Sequence, residues 1–389
     1  MSVADGRIVQ TGQITASNPA PGGSVKDLGD VAILPALVNA HTHLEFSDLP
    51  GPIGRPGMEL AEWIVEVVHA RQNATLDDDT DRPSPRANIT QGALEAQRGG
   101  TGLIGEIAST PWPGIDPHTA ELASTKIISF AEVLGLTQTR ANEKFHACVS
   151  HLESHRSLAG ISPHAPYSTP LSLIDRCLDL AIRTNHPVAM HVAESPAERE
   201  LLQQGSGPFA DNLASLGFDL SALFPWRHPE PIRHLIERLA VAPSALLVHG
   251  NDLRPLEIGL IAEHPTLNVV YCPRTHAFFA HDRHPVAELM AAGVNVALGT
   301  DSRASNPDLQ LWREVRWLLQ HRQDLSPADV LKMATLGGAR ALRQDDRYGT
   351  LAPGRASVFA IVPTTAPTAE SLYVDFADFD ASSADALHN

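Results

Sequence analysis

The sequence predicts an α/β fold, a closed (β/α)8 barrel of the TIM type with a small β-domain formed from both chain termini. Three observations lead there. Short apolar runs alternate with helix-like segments, the pattern of a parallel sheet whose strands are joined by helices. Eight such runs can be counted, which favours closure into a barrel over an open doubly wound sheet. Polar residues gather just beyond the C-terminal ends of these runs, where the loops of a barrel converge on one face. A length of 389 residues suits a barrel with a small accessory domain.

In chain order, the residues before Ala32 carry polar, short-strand sequence. The expected barrel strands are Val31 to Val38, Thr101 to Ile107, Lys126 to Val133, Leu158 to Ser162, Pro187 to Val192, Ala245 to Gly250, Leu267 to Cys272 and Val294 to Thr300, each rich in Val, Ile, Leu or Ala. Met58 to Arg71, with Trp63 and Ile64 at helical spacing from Leu60 and Val67, reads as a packed lid helix whose Glu59 or Glu62 can reach a sugar hydroxyl. Asn73 to Pro85 reads as a solvated loop. Ile89 to Arg98 is helical, stopped by Gly99 and Gly100. Ser195-Pro196-Ala197-Glu198 opens a helix with an N-cap, a first-turn Pro and a capping-box Glu, and Ser326-Pro327-Ala328-Asp329 repeats the logic with Asp. After the last barrel helix, Tyr348 to Val362 is a turn-punctuated β segment, and Pro363 to Asn389 a partly ordered acidic tail. The expected division is therefore 1–34 with 348–389 as the composite β-domain, and 35–347 as the barrel.

A formal net charge of -16 disfavours nucleic-acid backbones and anionic membrane surfaces, which call for clustered Lys and Arg. A small molecule is the expected partner, and homo-oligomerisation is left open. Met1 to Gly12 has no basic region followed by an apolar one, and no run of eighteen apolar residues occurs, so the chain reads as cytoplasmic. Cys148, Cys177 and Cys272 are odd in number and far apart, which fits buried free thiols rather than a disulfide framework or a thiolate metal site. The 19 histidines are numerous for this length, so where they fall decides their meaning.

His41 and His43 follow the first apolar run in Asn39-Ala40-His41-Thr42-His43-Leu44-Glu45-Phe46. Two histidines two apart point the same way in extended chain and can reach one metal, although an isolated pair is more often a surface or core feature. His191 ends the fifth run and Glu194 comes three residues later, so a metal ligand and a proton carrier can share that loop; a first-turn carboxylate at a helix dipole is the alternative for Glu194. His249 ends the sixth run beside Gly250. Asp301 lies just past the eighth run, and its carboxylate suits either metal ligation, hydrogen bonding to water, or capping of a loop.

Together, His41-Thr42-His43, Ser162-Pro163-His164-Ala165-Pro166-Tyr167-Ser168, His191-Val192-Ala193-Glu194, His249-Gly250 and Gly299-Thr300-Asp301-Ser302 resemble the amidohydrolase superfamily, in its aminohydrolase branch of deaminases and chlorohydrolases. The resemblance covers nearly the whole chain. It implies one divalent metal, zinc or iron(II), on His41, His43, His191 and Asp301. It further implies His249 against the water under activation, Glu194 moving protons, Asp301 taking part in catalysis as well as ligation, and His164 facing the substrate. Binuclear members carry a carboxylated Lys at the end of the fourth strand, but only Lys26, Lys126, Lys144 and Lys332 occur here and none lies there.

The activity implied is hydrolysis at an amidine-like carbon of an aminated purine or pyrimidine ring, with ammonia leaving. The segments around His41, His164 and Glu194 look most like aminodeoxyfutalosine deaminases, which act on an adenine-bearing nucleoside. Displacement of a halide or alkylamine, or opening of a cyclic amide, uses the same kind of site. A catalytically silent scaffold would be expected to have lost ligands, and none is lost. Many relatives carry Cys-Pro-x-Ser-Asn after the seventh strand, whereas Cys272-Pro273-Arg274-Thr275-His276 stands here. Arg274 and His276 are thus candidates to bind an anionic or ribosyl group, or to belong to a structural loop.

Overall fold

The computed structural model describes residues 1–13, 25–76 and 83–378. Eight strands, Leu37–Thr42, Thr101–Ala108, Lys126–Val133, Ala159–Pro163, Val188–Val192, Ala245–His249, Leu267–Tyr271 and Asn295–Leu298, pair in sequence order, and every pairing is parallel. A parallel bridge from Thr42 to Asp301 joins the first and last of them. The seam there is polar: Asn39 Nδ2 donates to Thr300 Oγ1 at 2.8 Å, Thr300 N to Asn39 Oδ1 at 3.2 Å, and Asp301 N to the His41 carbonyl at 3.2 Å. The fold is a (β/α)8 barrel, and its closure brings together residues more than two hundred positions apart.

Alternation along the strands puts one set of side chains inside. Val38, Leu103, Ile128, Phe130, Ala189, Leu246, Val248, Val270 and Ala297 fill the lumen, closed off below by Leu342 and Tyr348. Room for the fully buried Phe130 comes from Gly160 on the next strand, where a Cβ would collide with the ring. The opposite strand faces carry Leu37, Val133, Ile161, Met190, Leu247, Val269 and Leu298 into the layer between strands and surrounding helices. A barrel packed this way is solid, so chemistry is confined to its mouth.

Both termini contribute to a small β-domain, as expected. Val31–Pro35 pairs antiparallel with Phe359–Pro363, and Ser2–Ala4 with Arg7–Gln10. The expected first strand, Val31 to Val38, is in fact two. Its partner changes at Ala36, whose N–H donates to the Val358 carbonyl, while Leu37 N already donates to Gly100 in the barrel. One unbroken apolar run thus serves two sheets.

Helix boundaries also differ from expectation. The helix before the second barrel strand starts at Pro85 rather than Ile89, capped by Ser84 Oγ accepting from Ala87 N. The lid helix spans Leu60–Leu76, four residues into the expected loop, whose residues 77–82 lie outside those described. The expected tail carries a helix, Ala369–Asp378, with Phe376 fully buried edge-on to Trp312 at 5.3 Å. Leu372, Tyr373 and Phe376 fall on one helical face and supply the apolar contact that a solvated tail lacks. Residues 379–389 are not among those described. Cys148, Cys177 and Cys272 are buried and free.

Candidate active site

Between Asn39 and Thr42 the first barrel strand carries one extra residue relative to its neighbour, since Asn39 pairs with Ile104 and Thr42 with Glu106. Such a bulge re-aims the side chains beyond it. Val38 and Ala40 face the lumen below it, and His41 and His43 face it above. Both imidazole Nε2 atoms approach Asp301 Oδ1, at 3.5 Å from His41 and 3.7 Å from His43. Across the mouth, the His191 ring centroid lies 5.0 Å from that of His41, and the His249 centroid 5.4 Å from that of His191. One donor atom each from His41, His191, His249 and Asp301 lie within 4.8 Å of one another. All five groups expected around a metal therefore converge, with His249 in the tightest set and His43 at its edge.

The chemistry of this donor set fits a divalent cation. His41 is fully buried, and neither of its ring nitrogens has a hydrogen-bond partner in the protein, an expensive arrangement unless something else binds there. Burial, reinforced by neighbouring imidazoles, pushes His41 and His43 well below the usual histidine range and His191 down to about 4, so these rings are neutral and their lone pairs free. His191 and Asp301 are anchored from outside. His191 Nδ1 donates to the His164 carbonyl at 2.7 Å, which leaves Nε2 for ligation, and Ser305 Oγ donates to Asp301 Oδ2 at 2.6 Å.

Glu194 stands at the rim of this cluster, its Oε1 3.4 Å from His249 Nε2. Burial raises its carboxyl well above the usual range, helped by the charges of Asp301 and Glu198. His164 sits beside His191 with Nδ1 tied to Ser168 Oγ at 2.6 Å and Nε2 3.9 Å from Glu132 Oε1. Burial pushes His164 down to about 4.

Backbone strain concentrates here as well. Ala193, His249 and Asp301 have φ of 52°, 71° and 54°, left-handed values that cost a non-glycine residue roughly 1–3 kcal/mol each. Each is clamped. The Ala193 carbonyl accepts from Asp252 N, the His249 carbonyl from His284 Nε2 at 2.8 Å, and the Asp301 carbonyl from Thr42 Oγ1 at 2.8 Å.

A match to the amidohydrolase family model spans residues 32–381. The chain belongs to the amidohydrolase family. It is 31% identical to the aminodeoxyfutalosine deaminase of Deinococcus radiodurans over 347 residues, covering 82% of this chain and 75% of that one. It is 28% identical to a 5-methylthioadenosine/S-adenosylhomocysteine deaminase of Nitratidesulfovibrio vulgaris over 393 residues, covering 96% and 81%. Among solved structures, an adenosine deaminase from Xanthomonas campestris with zinc bound superposes with a TM-score of 0.63 at 26% identity, covering 87% of this chain and 73% of that one. As an amidohydrolase, the protein is a metal-dependent hydrolase, and its His and Asp cluster occupies the barrel mouth where that chemistry belongs.

Not every expected contact is formed. Arg274, read as a substrate ligand, spends its guanidinium inside the protein: Nε donates to Glu314 Oε1 at 2.6 Å, and Nη1 and Nη2 each donate to the Asp308 carboxylate at 2.9 Å. Its charge neutralises two buried carboxylates, so it braces the loop after the seventh strand. His276 Nε2 is likewise bonded to the Asp282 carbonyl at 2.8 Å. Glu59 and Glu62 are exposed, whereas Trp63 packs inward with Nε1 donating to the Ala304 carbonyl at 3.2 Å. No helix among the described residues is long and apolar enough to cross a membrane.

Two polar residues of the site escaped the sequence reading, and a third was given only a local role. Glu132 is the penultimate residue of the third strand, beside His164, and the only signal is a carboxylate near the C-terminal end of an apolar run. Glu45 pairs with Arg71, which also lies 4.8 Å over the Phe46 ring. Glu198, read as a capping-box residue, reaches past the cap to the backbone N–H groups of Ala193 and Glu194.

Proposed function

We propose that this amidohydrolase deaminates an aminated purine or pyrimidine ring, with an adenine nucleoside such as aminodeoxyfutalosine as the first candidate. One observation carries the reading: the Glu194 carboxyl lies 3.4 Å from His249 Nε2 at the edge of the donor cluster, where burial raises it well above the usual carboxylate range. Protonating a ring nitrogen beside a carbon under attack requires such an acid at neutral pH. The relatives named for adenine nucleosides support the substrate class.

Held by His41, His43, His191 and Asp301, a divalent cation would supply Lewis-acid activation of water, lowering its pKa towards roughly 7. Imidazole and carboxylate donors suit zinc, the ion in the similar adenosine deaminase, and iron(II) is the competing choice that elemental analysis distinguishes. Asp301, with Oδ2 fixed by Ser305, presents Oδ1 to accept a proton from the attacking water. His249 orients that water through Nε2. Glu194 delivers its proton to the ring nitrogen, then takes the proton of the hydroxyl formed on the attacked carbon and passes it to the amino group, so that ammonia leaves as the carbonyl forms; proton exchange with solvent resets Asp301 and Glu194. His164, its Nδ1 occupied by Ser168, offers Nε2 to the bound ring.

The test is ammonia release from adenosine, 5′-methylthioadenosine, S-adenosylhomocysteine and aminodeoxyfutalosine by metal-loaded protein. At least one is expected to turn over, and Glu194→Gln to lower kcat by about 10²-fold or more. Folded, metal-loaded protein that releases ammonia from none of them, or that releases chloride or an alkylamine from a triazine instead, contradicts the proposal.

A further inference from the structure

Glu198 is fully buried at the third position of the helix Pro196–Gln204. A capping-box carboxylate would turn back to the N-cap residue, Ser195. The Glu198 carboxylate goes further, with Oε1 accepting from Ala193 N at 2.7 Å and Oε2 from Glu194 N at 3.3 Å. The carbonyl sides of the same two residues are held from the next loop, Ala193 by Asp252 N at 2.8 Å and Glu194 by Asn251 Nδ2 at 3.0 Å. That loop is in turn fixed by Arg199, which donates Nε to Asp252 Oδ2 at 2.6 Å and Nη1 to Glu257 Oε1 at 2.7 Å. Adjacent residues of one helix turn thus grip the loops after the fifth and sixth strands. Between those loops Glu194 meets His249.

We propose that Glu198 is a positioning residue, which holds the left-handed Ala193 turn and so aims the Glu194 carboxyl at the His249 side of the site. It acts through the backbone and touches neither substrate nor metal. A left-handed alanine relaxes readily once its N–H loses its acceptor, and a shift of one ångström at a proton carrier is enough to lose most of its rate contribution. The inference rests on the reading of Glu194 as the proton carrier.

The experiment compares wild type, Glu198→Ala, Glu198→Gln and Glu194→Gln as metal-loaded full-length proteins, on whichever nucleoside the panel selects. It records kcat, KM, bound metal and thermal melting. Glu198→Ala is expected to lower kcat by about 10- to 100-fold with KM and metal content unchanged. Glu198→Gln, whose amide oxygen still reaches Ala193 N, is expected to recover most of that loss. Should Glu198→Ala not fold, Glu198→Asp replaces it: the shorter side chain keeps the carboxyl group but not the reach, and the same drop in kcat is expected. Wild-type kcat in the truncated variants, loss of metal in parallel with kcat, or a Glu198→Gln no better than Glu198→Ala each overturns the proposal. Wild-type kcat in Glu194→Gln instead removes the reading of Glu194, and the positioning role with it.

Discussion

At the scale of single residues, the site is a set of buried imidazoles and one carboxylate, of which His191 and Asp301 are fixed by anchoring partners. Asp301 presents one oxygen because Ser305 occupies the other. Ser305→Ala is therefore expected to weaken metal affinity or kcat by about 10- to 100-fold, read by chelator competition and steady-state rates, and an unchanged affinity and rate would remove Ser305 from the account. His41, His43, His191, His249 and Asp301 were legible in the sequence because each polar residue ends or follows an apolar run. Glu198 was misread because a Glu three positions after a capping Ser has an ordinary local explanation, and only the fold shows its carboxylate passing beyond the cap. For Arg274 the sequence left a substrate contact and a structural loop both open, and its bonds to Asp308 and Glu314 favour the loop. Its partners, Asp308 and Glu314, lie 34 and 40 positions away, so nothing local marks its charge as already neutralised.

At the scale of elements, the eight strands were legible to within a few residues because a barrel strand is apolar on both faces. The break at Ala36 was not, since apolar residues continue through it and only a change of partner divides the run. The helix Ala369–Asp378 was hidden by acidic neighbours around Leu372, Tyr373 and Phe376. Interior packing makes its own prediction. Gly160 faces the Phe130 ring with no space for a side chain, so Gly160→Ala forces the ring from its position. A loss of about 1–3 kcal/mol in urea unfolding is expected, and undiminished stability would mean the lumen is looser than described.

At the scale of the whole molecule, closing the barrel and building the site are one event. Asn39, His41 and Thr42 on the first strand meet Thr300 and Asp301 after the eighth, and the same contacts that seal the sheet set Asp301 between His41 and His43. Left-handed φ values occur at Asp301 on that seam and at Ala193 and His249 after the fifth and sixth strands, each clamped by a neighbouring loop or strand. The central claim is a single metal at the seam. Anomalous diffraction at the zinc edge from zinc-loaded crystals tests it most directly: one peak is expected among His41, His43, His191 and Asp301, with Glu194 and His249 facing it. A second peak in the barrel mouth, or a single peak away from Asp301, would contradict it.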